Sequence, residues 1–319
     1  MAGSSANISS KNYWMAYIGQ RAALSLVGPP KSFYLGKQRE HRVLPIPTRH
    51  GDVQCWVYDA APGTKLNTHT DQSRGTGAPI HVSIHGGGCI LSSPWEDDHI
   101  NSHLAGLGMV VVSPVYSCAP QKRFPVAEEE VYDVCKWLST KSREAHGWDS
   151  SRISVSGFSA GGKLALNIAQ QAHAESNETL RLRALAPYFT MFDVTRSKRR
   201  SKHSNIFPVV PAWQLALVQA VYFPDIASRS TPLASPYHDP ALAEACRGIP
   251  LLITTGGRDT LGVEGDEVAR RLGDAGVDVT HKCFEAADHA YTHKGSKETA
   301  RESIMMLGDF LTKHLSLES

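Results

Sequence analysis

The feature that most constrains this chain is a serine placed where a strand turns at once into a helix. Ile153 to Ser156 reads as a short strand and Gly161 to Ala174 as a helix rich in Ala and Leu. Between them stands Gly157-Phe158-Ser159-Ala160-Gly161, a G-x-S-x-G sequence. So abrupt a turn leaves the serine strained and exposed. Its flanking glycines are required because side chains there would strike neighbouring backbone. The helix N-terminus adds partial positive charge where an oxyanion would develop. Glycine-rich strand–helix turns also bind phosphate, but the GK[ST] pattern is missing: Lys163 follows Gly162 and Leu164 follows Lys163.

Around this turn the chain alternates. Val53 to Tyr58, Ile80 to Ile84, Met109 to Val115, Leu251 to Thr255 and Val277 to Phe284 read as further strands. Val126 to Leu138, Gly265 to Ala275 and Ser303 to Leu315 read as helices, the first with Val131, Val134, Cys135 and Leu138 at helical spacing. Met109 to Val115 is valine-rich and uncharged, as suits a strand buried on both faces. The pattern predicts an α/β chain with a mostly parallel central sheet flanked by helices, its chemistry in loops beyond the strands' carboxyl ends.

Two aromatic-rich regions break the alternation. One holds Tyr13, Trp14, Tyr17, Phe33 and Tyr34; the other holds Phe189, Phe192, Phe207, Trp213, Tyr222 and Phe223. We read them as a helical cap: an N-terminal segment over about 1–40, and an insertion at about 188–237 within a catalytic domain spanning 41–319. Their rings are expected to line a substrate pocket. Gly63 to Ala78 reads as an exposed loop.

The formal net charge of +2 points to no nucleic-acid or membrane-surface partner. Arg196, Lys198, Arg199, Arg200 and Lys202 read as the solvated face of a cap loop. No apolar run is long enough to span a bilayer, and Met1 to Ser10 lacks a secretory pattern, so a cytoplasmic location is expected. The six cysteines form no CxxC pair and are expected to be reduced, buried thiols. No motif sets an oligomeric state, and a homodimer is compatible with the sequence.

A serine hydroxyl needs an adjacent base. Among 15 histidines, His289 is singled out because it follows the last strand and precedes the last helix. His293 is the obvious decoy and His281 falls within a strand. Asp259, just after Leu251 to Thr255, is the acid expected to orient that histidine. Asp266 falls on the following helix, and Asp288 would point away from its neighbour. His85-Gly86-Gly87-Gly88 directly follows Ile80 to Ile84. Its bare backbone lets N–H groups converge on an oxyanion, where one donor is worth ~3 kcal/mol. We assign Gly87, Gly88 and Ala160 as donors, Gly86 to the turn, and His85 to bracing the loop.

With these motifs in place, Ile80 to Leu315 resembles the hormone-sensitive-lipase-like branch of the α/β-hydrolase family. Gly157 to Gly162 is similar to its GDSAGG elbow, with Phe158 where the family usually has Asp. Tyr116 to Pro120 with Phe124-Pro125 is similar to its YRLAP…FP segment. Ser235-Pro236 and Gly256 to Leu261 look like its later SP and G-x-x-D-x-L segments. The acid the family often places four residues after the triad Asp is here Val263, with Glu264 next door. The resemblance implies the α/β-hydrolase fold and a carboxylesterase for short or medium acyl chains, of a kind that trims specialised metabolites. It implies neither cofactor nor metal, and its N-terminal helical cap would place Tyr13, Trp14 and Tyr17 near substrate. Cys89 after the glycine run, Phe158 in the elbow, and Phe192 and Trp213 in the second aromatic region are further pocket candidates from their positions. The fold also hosts small-molecule receptors, and dehydratases, cyclases and acyltransferases, which motifs alone do not exclude.

Overall fold

The computed structural model describes residues 10, 13–18, 20, 35–67, 77–196, 202–203 and 209–317. Phe33, Tyr34, Phe207 and the basic residues 198–200 lie outside the described residues.

An eight-stranded sheet forms the centre, in the order β1-β2-β4-β3-β5-β6-β7-β8. The strands are β1 (Arg42–Thr48), β2 (Gly51–Tyr58), β3 (Pro79–Ile84), β4 (Val110–Pro114), β5 (Asp149–Phe158), β6 (Leu182–Tyr188), β7 (Leu251–Gly256) and β8 (Val279–Phe284). β1 pairs antiparallel with β2, and β2 with β4; the rest of the sheet is parallel. Every residue of β3 and β4 is buried, which is why β4 reads as a valine-rich apolar run, while β3 also encloses His81 and Ser83.

Two strands were not anticipated. β1 carries Pro45 and Pro47, which demote a strand reading, yet it is an edge strand where missing N–H donors are tolerated. β6 is Ala-rich and carries Pro187 near its end, although it lies between β5 and β7.

The helices are α1 (helical residues 13–18), α2 (Asp98–Gly106), α3 (Val126–His146), α4 (Ala160–Ala174), α5 (Ala212–Val221), α6 (Leu242–Ala245), α7 (Gly262–Asp274) and α8 (Lys297–Leu315). One apolar core packs α3, α4 and α7 against one face of the sheet, through residues such as Val131, Leu164 and Val268. A second packs α2 and α8 on the other, through Ile100, Leu104, Ile304 and Leu307. α3 runs past its expected end to stop at Gly147, whose φ of +70° is a left-handed cap. α8 begins before its expected start because Ser296 accepts a capping hydrogen bond from the Thr299 N–H at 3.1 Å. All six cysteines are free, and only Cys283 is not fully buried. Among the described residues no helix is long and apolar enough to cross a membrane.

Candidate active site

β5 ends at Phe158 and α4 begins at Ala160, so one residue makes the turn. That residue, Ser159, has φ +57° and ψ −115°, a conformation a non-glycine residue holds only when its surroundings impose it. The turn is tight because Gly161 lies against β3: a Cβ there would sit 2.1 Å from the Ile84 carbonyl oxygen.

β7 and β8 deliver the other two residues. Asp259 follows β7 and is fully buried. One of its oxygens accepts from the Leu261 N–H at 2.9 Å, which fixes the carboxylate. The other lies 2.8 Å from Nδ1 of His289. Nε2 of His289 lies 2.9 Å from Ser159 Oγ. Three residues spread over the second half of the chain thus form one hydrogen-bonded line. The decoys have other partners. Asp288 accepts from the His289 backbone N–H at 2.7 Å. Asp266 is held by Thr255 and His281 at 2.7 and 2.9 Å. His293 pairs with Asp97 at 2.6 Å.

Gly86, Gly87 and Gly88 line the same cavity as Ser159. The Gly87 carbonyl accepts from the Ile90 and Leu91 N–H groups at 3.0 and 2.9 Å, closing a turn. Ala160 is the first residue of α4, so its N–H has no intrahelical acceptor. His85 is fully buried; its Nδ1 lies 2.9 Å from the Gly86 carbonyl and its ring stacks on Tyr116 at 4.2 Å. The Tyr116 hydroxyl lies 2.9 and 2.8 Å from the His85 and Gly86 carbonyls, which share its proton. Burial lowers the His85 pKa and raises that of Tyr116, so both stay uncharged.

The cavity above Ser159 measures about 210 Å³. Leu215 and Val218 of α5, with Val210 and Leu261, make an apolar wall, and Phe158, Glu96, Asp97 and His293 make another side. Of the expected pocket residues, Phe158 is present. Trp213 is not: Leu215 and Val218 turn inward, which leaves the Trp213 ring 69% exposed. Phe192 is buried beside Gly265, with its N–H donating to Glu264 at 3.0 Å. Cys89 faces inward toward Glu128, Lys163 and Tyr222, and burial pushes its thiol pKa far up. Tyr13, Trp14 and Tyr17 cluster with one another rather than lining the cavity. Ala16 of α1 is buried, and so is Gln20, which donates to the Ile90 carbonyl at 2.6 Å.

Sequence reasoning missed Asp97 and the α5 residues. Asp97 meets His293 across 196 positions, and nothing in the sequence links them. Gln214, Leu215 and Val218 required knowing which side of α5 faces down.

A mostly parallel sheet with serine, aspartate and histidine joined beyond its strand ends is the α/β-hydrolase fold. Comparison with known proteins agrees: residues 81–293 match the family described as alpha/beta hydrolase fold. Ethyl acetate hydrolase of Pseudomonas putida is 30% identical over 234 residues, covering 73% of this chain and 72% of that protein. Arylacetamide deacetylase of Bos taurus is 33% identical over 165 residues, 49% of this chain and 41% of that one. An esterase of Pyrobaculum calidifontis superposes with a TM-score of 0.79 at 26% identity, over 98% of this chain and 95% of the other. The chain belongs to the hormone-sensitive-lipase-like branch of the α/β-hydrolase family. It is a carboxylic ester hydrolase.

Proposed function

We propose that the enzyme hydrolyses a short or medium acyl ester of a small molecule, a specialised metabolite among the candidates, through an acyl-enzyme on Ser159. The single observation carrying this is the line from Ser159 Oγ to His289 Nε2 at 2.9 Å and from Nδ1 to Asp259 at 2.8 Å. His289 takes the serine proton as Oγ attacks the ester carbonyl, and Asp259 stabilises the resulting imidazolium. The Gly87, Gly88 and Ala160 N–H groups receive the oxyanion. His289 then returns the proton to the alkoxy oxygen, the carbon–oxygen bond breaks and the alcohol departs. Water repeats the sequence, releasing the acid and restoring Ser159. α5 serves as part of the cap, its apolar wall taking the acyl chain. A cavity of about 210 Å³ suits a small ester, as does the relative that hydrolyses ethyl acetate.

The test is Ser159→Ala with 4-nitrophenyl butyrate as substrate. Turnover is expected to fall on the order of 10⁶-fold, and a fluorophosphonate is expected to add to Ser159 of the unaltered enzyme. Near-normal turnover by the variant, or an adduct on another residue, would overturn the reading. A bare receptor on this fold would neither turn over nor label.

A further inference from the structure

The cavity has a polar flank that the three-residue line does not use. Asp97 is 1% exposed, yet it lines the cavity. Its Oδ1 lies 2.6 Å from Nε2 of His293, and its Oδ2 has no hydrogen-bond partner. A carboxylate oxygen left without a donor in a buried place costs free energy that a ligand's O–H would recover. The pair is held firmly. Nδ1 of His293 lies 2.8 Å from the Thr292 hydroxyl. The Phe158 ring meets His293 edge-on at 5.4 Å, and Phe189 touches both His293 and His289. Burial raises the Asp97 carboxyl to about 7 and lowers His293 to about 4, which marks how little solvent reaches them.

The chemistry also says which half of an ester lies here. The alkoxy oxygen must come within reach of His289 Nε2 to receive its proton. His293 stands four residues beyond, and the Phe189 ring lies edge-on to both imidazoles, 5.1 Å from His289 and 6.3 Å from His293, so both histidines stand on one side of the cavity. The alcohol half therefore leaves along the Asp97–His293 flank, while the apolar wall of α5 faces the other half.

We propose that Asp97, positioned by His293, is a specificity-determining residue that accepts a hydrogen bond from a free hydroxyl on the alcohol half of the substrate. The natural substrate is then a partial ester of a polyol or hydroxylated compound, not a simple alkyl ester. This rests on the acyl-enzyme reading above, and the experiment separates the two.

The experiment compares kcat/KM for matched esters of one acid: propyl against 2-hydroxyethyl butyrate, and butyl against 3-hydroxypropyl butyrate. Each pair exchanges a methyl for a hydroxyl and forms the same acyl-enzyme. At pH 8.5, above the Asp97 value of about 7, the unaltered enzyme is expected to favour a hydroxylated member on the order of tenfold, as suits a hydrogen bond to an ionised group. Asp97→Asn is expected to pull that ratio toward one, with each rate normalised to fluorophosphonate-titrated sites. A structural role alone would lower both members in proportion and leave the ratio standing. Ratios near one in the unaltered enzyme overturn the proposal while leaving its esterase activity intact; an unchanged ratio in Asp97→Asn overturns it too. Turnover that survives Ser159→Ala overturns the acyl-enzyme reading instead.

Discussion

At position 88 one hydrogen atom separates the glycine loop proposed to hold the oxyanion from α5. Gly88 has φ +63°, and a Cβ there would lie 3.0 Å from Cγ2 of Val218 on α5. An alanine carries a left-handed backbone cost of roughly 1–2 kcal/mol. It also presses the loop away from α5, beside the backbone N–H proposed to receive the oxyanion. Displacement of about 1 Å at such a donor costs on the order of 10² in rate. Gly88→Ala is therefore expected to lower kcat by about that factor with KM little changed. Gly36→Ala, where an added Cβ meets nothing within 4 Å, is the matching control. Steady-state kinetics on a butyrate ester decide the matter, and unaltered kcat in Gly88→Ala would remove this glycine from the machinery. The geometry at the residue scale was also legible in the sequence. Ser159, Asp259 and His289 lie in the loops after β5, β7 and β8, and motif and chain order pointed to three residues that stand within hydrogen-bond distance of one another.

Within β3 sits a group that sets a limit in acid. His81 is fully buried, with Nδ1 and Nε2 each 2.9 Å from the hydroxyls of Ser154 and Ser156 on β5. Burial lowers its pKa to about 3. A depressed histidine holds its proton less well folded than unfolded. Its stability contribution is complete above the unfolded value of 6.5 and is lost as pH falls from there toward about 3. By pH 5 about 2 kcal/mol is gone, since the unfolded chain has bound a proton that the folded one refuses. Urea midpoints at pH 7.5 and pH 5 should show this drop, and His81→Gln, though weaker at neutral pH, should show less of it. Equal slopes for the two proteins would assign the acid sensitivity elsewhere. The same strand shows what was legible among the elements. β4 read directly because burial on both faces makes a valine-rich, uncharged run, and β3 because its β-prone residues end in glycines. β1 and β6 did not, because Pro45, Pro47 and Pro187 mimic loop signals and only strand order shows where they are tolerated. The wall of α5 was hidden for a related reason. Its exposed Trp213 is more conspicuous in sequence than the Leu215 and Val218 that face the serine.

The whole molecule joins these layers through a buried charge. Lys163 of α4 and Glu128 of α3 are both fully enclosed, 2.5 Å apart. Asn167 accepts a second Lys163 hydrogen bond at 2.9 Å, and the Tyr222 hydroxyl, just past α5, donates to Glu128 at 2.5 Å. Phe124 and Phe223 close over the ammonium at 5.9 and 5.6 Å. One cluster thus ties α4, whose first residue follows the serine, to α3 and to the residue just past α5. A pair so enclosed gains attraction but loses hydration, and the net is small when both partners are present. Removing one partner is a different matter, because the other charge is stranded. Lys163→Met is expected to cost about 3–5 kcal/mol, seen as a fall in Tm on the order of 10 °C for a chain of this size. Adding Glu128→Gln removes the stranded charge while keeping an acceptor for Tyr222, so the double variant should recover much of the loss. Calorimetry on the two singles and the double measures the coupling directly. Additive losses would mean that the ammonium and carboxylate act independently, and that α4 and the α5 segment are held together by apolar packing alone.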